Sequence, residues 1–178
     1  MRLNRDRLLY ASTIFTSSAL LFLVQPVMAK AILPRFGGSA GVWTACMLFF
    51  QVVLLAGYAY AYGITRHLGH RAQAAVHVAL LIASLAMLPV NPAAADGLAT
   101  TENQVWGILR LLAASVGLPY FMLSTTGPLA QAWYAGRAEA RFPYRLFALS
   151  NLASLAALLA YPVSIEPLLS EKQQLFGW

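Results

Sequence analysis

The stretch VWTACMLFFQVVLLAGYAYAY, residues 42–62, contains no charged side chain, and its only polar groups apart from tyrosine hydroxyls are Thr44 and Gln51. As an α-helix it rises about 1.5 Å per residue and reaches roughly 30 Å, the thickness of a bilayer's hydrocarbon core. A helix on the surface of a soluble domain keeps one polar face, and this stretch has none. Four further apolar runs flank it, at about 8–33, 74–90, 105–134 and 144–165, separated by short polar loops. The whole chain is 60% hydrophobic and 10% charged, with a mean hydropathy of +0.64. Soluble domains carry about 25% charged residues, so the sequence predicts an all-α polytopic membrane bundle of about five transmembrane helices, forming a single domain over 1–178.

Charge placement orients this bundle. Twelve Lys and Arg against six Asp and Glu leave a net charge of +6. Arg2, Arg5, Arg7, Arg66, Arg71, Arg137, Arg141 and Arg145 occupy the N-terminus and the second and fourth loops, whereas Asp96, Glu102, Glu166 and Glu171 fall in the third loop and the tail. Arginine on alternate loops is the positive-inside pattern, which places the N-terminus in the cytoplasm and the tail outside. The same distribution removes nucleic acid as the reason for the basic excess. Cys46 is the single cysteine and lies inside an apolar run, so neither an intrachain disulfide nor a cysteine metal site is available. The first apolar run continues past Gln25-Pro26 and is too long for the apolar core of a cleaved signal peptide.

Pro34-Arg35-Phe36-Gly37-Gly38 reads as a helix stop, and Pro89 closes the short third span. The fourth region is several turns longer than a bilayer requires and contains Gly117-Leu118-Pro119 and Gly127-Pro128. It is therefore expected to be broken, either as one kinked helix or as two half-helices with an unwound joint at Ser124-Thr125-Thr126. The tail closes on Phe176-Gly177-Trp178, aromatics suited to the membrane interface. The sequence stops where another apolar segment is expected, as in a fragment.

Polar side chains at membrane depth are costly and have a reason to be there. Lys30 and Arg110 lie within two turns of the outer interface, where long side chains reach the headgroups, and Arg35 follows in the outer loop. The sharper reading joins Lys30, Arg35 and Arg110 in one outward-facing basic pocket for an anionic headgroup, a carboxylate or an acidic partner. Gln25, Gln51 and Asn151 are expected to bridge helices, or, with Ser124, Thr125 and Thr126, to line a cavity at a helix break. Arg110, Ala114, Gly117, Phe121 and Ser124 recur at helical spacing, and Ser150/Ser154 and Ala153/Ala157 form small-residue pairs suited to close helix contact. Tyr58, Tyr60 and Tyr62 are expected to anchor an interface, and His77 to be hydrogen-bonded. Neither a GxSxG nor an HExxH pattern occurs. Phe36-Gly37-Gly38-Ser39-Ala40-Gly41 follows a membrane span rather than a strand, so it fails as a phosphate loop. His67 and His70 lack further ligands, and neither catalytic residues, a cofactor nor a metal is expected.

Three stretches carry a resemblance: LLFLVQPVMAKAILPRFGGSAGVW with FFQVVLLAGYAYAY, then GLPYFMLSTTGPLAQAW, then PYRLFALSNLASLAALLAYPVSIEP. Together they cover about half the chain and resemble the N-terminal membrane region of bacterial fused proteins described as MFS-like/spermidine synthase-like. Gln25, Pro26, Lys30, Gly37, Gly38, Trp43, Gln51, Gly57, Tyr58, Pro119, Thr126, Gly127, Pro128, Tyr144, Asn151 and Pro162 fall at its motif positions. The resemblance implies a bacterial inner-membrane protein. The present sequence has no GGGxG nucleotide loop and no acidic polyamine pocket, so polyamine synthesis is not carried over. Five spans also fall short of the six in one MFS half.

These readings lead to a non-catalytic integral membrane subunit or assembly protein, with lipids and other integral membrane proteins as partners. The alternative is a transporter, or a piece of one, for a small polar solute such as a polyamine. The absence of Asp and Glu from the five expected spans weighs against a cationic solute.

Overall fold

A computed structural model describes residues 2–92, 103–136 and 143–178, and all regular structure among them is helical. The elements are α1 (Arg2–Phe36), α2 (Ala40–His67), α3 (His70–Leu85), α4 (Gln104–Leu112), α5 (Leu118–Ala135), α6 (Pro143–Ala160), α7 (Glu166–Leu168) and α8 (Glu171–Gly177). A π-helical turn at Ala113–Gly117 joins α4 to α5, and another at Tyr161–Ile165 joins α6 to α7. Four helical rods are long and apolar enough to cross a membrane: Asp6–Phe36, Ala40–His67, Gln104–Ala135 and Tyr144–Leu168. The expected third span, 74–90, is not among them, its helix running from His70 to Leu85 instead. α3 has 16 residues, about 24 Å of helix, because the chain leaves helical geometry before Pro89. The loop residues Asp96, Glu102, Arg137 and Arg141 lie outside the described residues.

The expected break in the fourth region is not found at Ser124-Thr125-Thr126. Those residues are helical, and their hydroxyls donate back to the preceding turn: Ser124 to Phe121 O at 2.7 Å, Thr125 to Met122 O at 2.8 Å and Thr126 to Met122 O at 2.7 Å. Such bonds satisfy hydroxyls within one helix. The irregularity sits instead at the π turn immediately before Pro119. Proline has no N–H to give the carbonyl four residues back, and a widened turn absorbs that mismatch without unwinding the chain. Pro162 lies within the second π turn in the same way. α1 passes Pro26 and Pro34 and stops at Gly37, whose φ of +77° ends the helix with its N–H on Leu33 O at 2.8 Å.

Contacts at the two ends fix the directions. Tyr10 of α1 meets Tyr134 of α5 edge-to-face at 5.5 Å, while at the opposite end Gln104 Nε2 donates to Phe36 O at 2.7 Å. α1 and the α4–α5 rod are therefore antiparallel, and α3 with residues 86–92 carries the chain from the α2 C-terminal end back to the end where α4 begins. Val90 completes that passage by joining the main core. The core lies between α1, α2 and α4–α5, where Met28, Ile32, Ile108, Leu111, Leu112, Val116 and Tyr120 are fully buried. α6 leans on α1 through its small residues, and Ala153 and Ala157 are both buried. In lipid this packing is held by dispersion and close fit rather than by exclusion of water.

Candidate functional site

Single polar links tie α1 to most of its neighbours. Ser18 Oγ and Ser150 Oγ lie 2.7 Å apart between α1 and α6. Gln25 Nε2 donates to the hydroxyl of Tyr120 at 3.3 Å between α1 and α5, and the Tyr120 ring packs edge-on against Phe50 at 4.9 Å. Gln25 thus bridges helices as expected. Lys30 Nζ reaches Glu166 Oε1 at 3.2 Å on α7. Between α3 and α5, Trp133 Nε1 donates to Gln73 Oε1 at 2.7 Å, and Gln73 Nε2 in turn donates to Leu68 O at 2.7 Å. The tail aromatic expected at the interface turns into the bundle instead: α8 folds back beside α1 and Trp178 Nε1 donates to Leu20 O at 2.7 Å.

α2 and α5 meet differently. Gly57 of α2 is buried against Ser124, so closely that a Cβ there would lie 1.8 Å from Ser124 Oγ and 2.9 Å from Ser124 Cβ. The absent side chain is what lets the two backbones approach. Ser124 and Thr125 are therefore packing residues, with Thr126 only half-buried beside them. The row from Arg110 to Ser124 does not form one face: Arg110 and Ala114 are exposed while Ser124 is buried. One residue of helix turns the face by about 100°, so the wide turn between them breaks the spacing on which the row was read.

Gln51 and Asn151 do not join that cluster. Both are exposed, on different helices, and each is flanked by exposed apolar residues: Leu48, Val52 and Leu55 on α2, Phe147, Leu152 and Leu155 on α6. The cavity expected from Asn151 with Ser124, Thr125 and Thr126 is not formed. The three expected basic residues also go to three places. Lys30 pairs with Glu166, Arg35 Nη1 donates to Ala31 O of its own helix at 2.7 Å, and Arg110 borders a groove between α2 and α4. None of the cavities described here is lined by more than one of the three.

Two concavities stand out among the described residues. The first is a crevice between α1, α3 and α5 whose walls are mostly apolar and carry a few polar side chains. Its main chamber, about 630 Å³, is lined on α1 by Asp6, Thr13 and Ser17, on α3 by His77 and on α5 by Thr126 and Trp133. A cavity of about 280 Å³ at His70 and Gly136 shares Tyr10, Ala74 and Trp133 with that chamber, and one of about 170 Å³ beside Trp178 shares Leu81, Leu123 and Thr126. The three form a chain along the bundle, with Trp178 at one end. His77 was expected to be hydrogen-bonded. It is 5% exposed, it sits between the rings of Tyr60 and Trp133, and its Nδ1 has no hydrogen-bond partner among the described residues. Asp6 and Glu166 lie at the ends of helices long enough to span, just outside the expected spans 8–33 and 144–165. The second concavity is the groove at Arg110, about 820 Å³ and almost wholly apolar.

Sequence reasoning named Gly57 only as a motif position and missed its contact with Ser124, together with Tyr120, the Gln73–Trp133 pair and the α1 stripe. The stripe was findable, because Asp6, Thr13 and Ser17 repeat at helical intervals once α1 is extended to its true start. The partners of Tyr120 and Trp133 lie 95 and 60 positions away, and no local pattern signals them. The chain matches no protein-family model, no curated protein and no solved structure.

Proposed function

We propose that this chain is a non-catalytic integral membrane subunit or assembly protein that packs against other transmembrane helices and lipid. One observation carries the reading: Gln51 and Asn151, two amide side chains in the middle of spanning helices, point away from the bundle. An amide left in hydrocarbon loses its hydrogen bonds at a cost of about 1–3 kcal/mol by mutational measures, whereas interhelical amide bonds return about 0.6–2 kcal/mol. Outward amides on two separate faces therefore favour neighbours on both. α3 serves as a short fifth crossing in this reading, since the chain has to return between the bundle's ends. The arginine distribution puts the N-terminus on the cytoplasmic side of a bacterial inner membrane, in keeping with the resemblance to the membrane region of MFS-like/spermidine synthase-like proteins.

The test is purification in a mild detergent. Wild-type chain should retain integral membrane partners at fixed stoichiometry, and Gln51→Leu and Asn151→Leu should each release partners while helicity and thermal stability of the isolated chain are unchanged. Retention by both variants would overturn the proposal.

The polar side chains of the crevice favour the second reading, a transporter or part of one for a small polar solute such as a polyamine. Thr13, Ser17, His77 and Thr126 supply hydrogen-bonding groups, and Asp6 a carboxylate, to a chamber that is otherwise apolar. Uptake of labelled solute by liposomes containing the chain alone, lost in His77→Phe and Thr126→Val, would replace the subunit reading with this one.

A further inference from the structure

We infer that the groove between α2 and α4 is a binding site for one anionic glycerophospholipid, with its phosphate on Arg110 and an acyl chain along Val52, Val53 and Ala113. The inference rests on membrane placement alone and stands whether the chain acts as a subunit or a transporter. Three observations meet there. The groove holds about 820 Å³ and its walls are aliphatic and aromatic. Arg110, six residues into α4 and hence about 9 Å below its start, is exposed at the edge and has no carboxylate or hydrogen-bond partner among the described residues. Trp106 and Asn103, one turn and two turns above it, bring an indole and an amide to the level where headgroups lie.

The energetics select the headgroup. A bilayer already solvates an acyl chain, so moving the chain into an apolar groove gains fit but little transfer energy. Discrimination has to come from the cation. A guanidinium binds phosphate oxygens through paired, charge-assisted N–H donors, and held within a helix in low dielectric it attracts net negative charge most strongly. Among the described residues lining the groove there is no carboxylate to receive the ammonium of a zwitterionic lipid. Lys30 does not compete for the role, because Glu166 already neutralises it.

Native mass spectrometry tests this on the whole, delipidated chain offered equimolar phosphatidylglycerol and phosphatidylcholine. One phosphatidylglycerol per chain should survive activation, favoured about tenfold, since both lipids offer a phosphate and only this one is net negative. Arg110→Gln should bring retention down to the phosphatidylcholine level, Lys30→Gln should leave it unchanged, and Val52→Trp, which fills the wall and keeps the guanidinium, should lower it with circular dichroism unaltered. Equal retention of the two lipids, no effect of Arg110→Gln or of Val52→Trp, or displacement by millimolar inorganic phosphate would each overturn the site.

Discussion

Replacing Gly57 with alanine isolates the contact on which α2 and α5 depend. The new methyl carbon would lie 1.8 Å from Ser124 Oγ, 2.9 Å from Ser124 Cβ and 3.2 Å from the Ser124 carbonyl carbon, where ordinary contact begins at 3.4 Å. Rotating the hydroxyl away relieves the first overlap but breaks its bond to Phe121 O, and the Cβ and backbone overlaps remain. The helices must then separate, which strips dispersion contacts from Phe49, Phe50 and Tyr120 packed beside them. Overpacking of this kind costs about 1–3 kcal/mol, against a gain of up to about 1 kcal/mol from the better helix propensity of alanine, for a net loss of roughly 1–2 kcal/mol. The overlaps also rank the rescues. Gly57→Ala with Ser124→Ala removes only the hydroxyl clash and should restore part of the stability. Gly57→Ala with Ser124→Gly removes the Oγ and Cβ clashes but adds up to about 1 kcal/mol for a glycine inside α5, so each rescue is read against its own Ser124 single variant, where the glycine should couple more strongly to Gly57→Ala. Denaturant titration in bicelles followed by tryptophan fluorescence measures all of these variants against wild type. A fully stable Gly57→Ala, or coupling to Ser124→Ala as large as to Ser124→Gly, would refute the close approach.

Other links make separate predictions. Trp133→Phe leaves Gln73 Oε1 without its donor in a residue 3% exposed and should cost about 1–3 kcal/mol, while the double variant Trp133→Phe with Gln73→Leu should recover part of that loss, since it removes the stranded oxygen but also the donor to Leu68 O; thermal unfolding in detergent distinguishes the two. Tyr120→Phe removes the acceptor of Gln25 and should destabilise by about 0.6–2 kcal/mol, the range for interhelical bonds in lipid, with no change in helicity by circular dichroism. Lys30 and Glu166 are 34% and 46% exposed, so a double-mutant cycle should return no more than about 1 kcal/mol, diminishing with added salt. Ser18→Leu, placed where Ser18 and Ser150 touch, should separate α6 from α1 and expose the Ala153 face, read as faster cysteine modification at Ala153→Cys.

The helices themselves were legible from uninterrupted apolar runs, but the prolines marked irregular turns only at Pro119 and Pro162, while Pro26, Pro34 and Pro128 lie inside helices. What a proline does to its helix was not legible. Pro119 is absorbed by a wide turn and Pro128 passes within regular helix, because the outcome depends on which neighbours hold the flanking turns. Gln25, Gln51 and Asn151 looked equivalent in the sequence, yet Gln25 meets Tyr120 while the other two face outward. Lys30, Arg35 and Arg110 looked like one pocket, yet a carboxylate 136 positions away takes the first, a carbonyl of its own helix the second and a groove wall the third.

The sequence alone determined that these segments are helices, four of them among the described residues long and apolar enough to cross a membrane, and which polar groups each one carries, since apolar runs and the spacing of charge are properties of the chain taken in order. Only the tertiary structure decided which faces meet. In water an amphipathic helix announces its buried side; in lipid the inner and outer faces are both apolar, so the direction in which Asn151, His77 or Gly57 points is set by close packing between distant segments, and no local pattern records it.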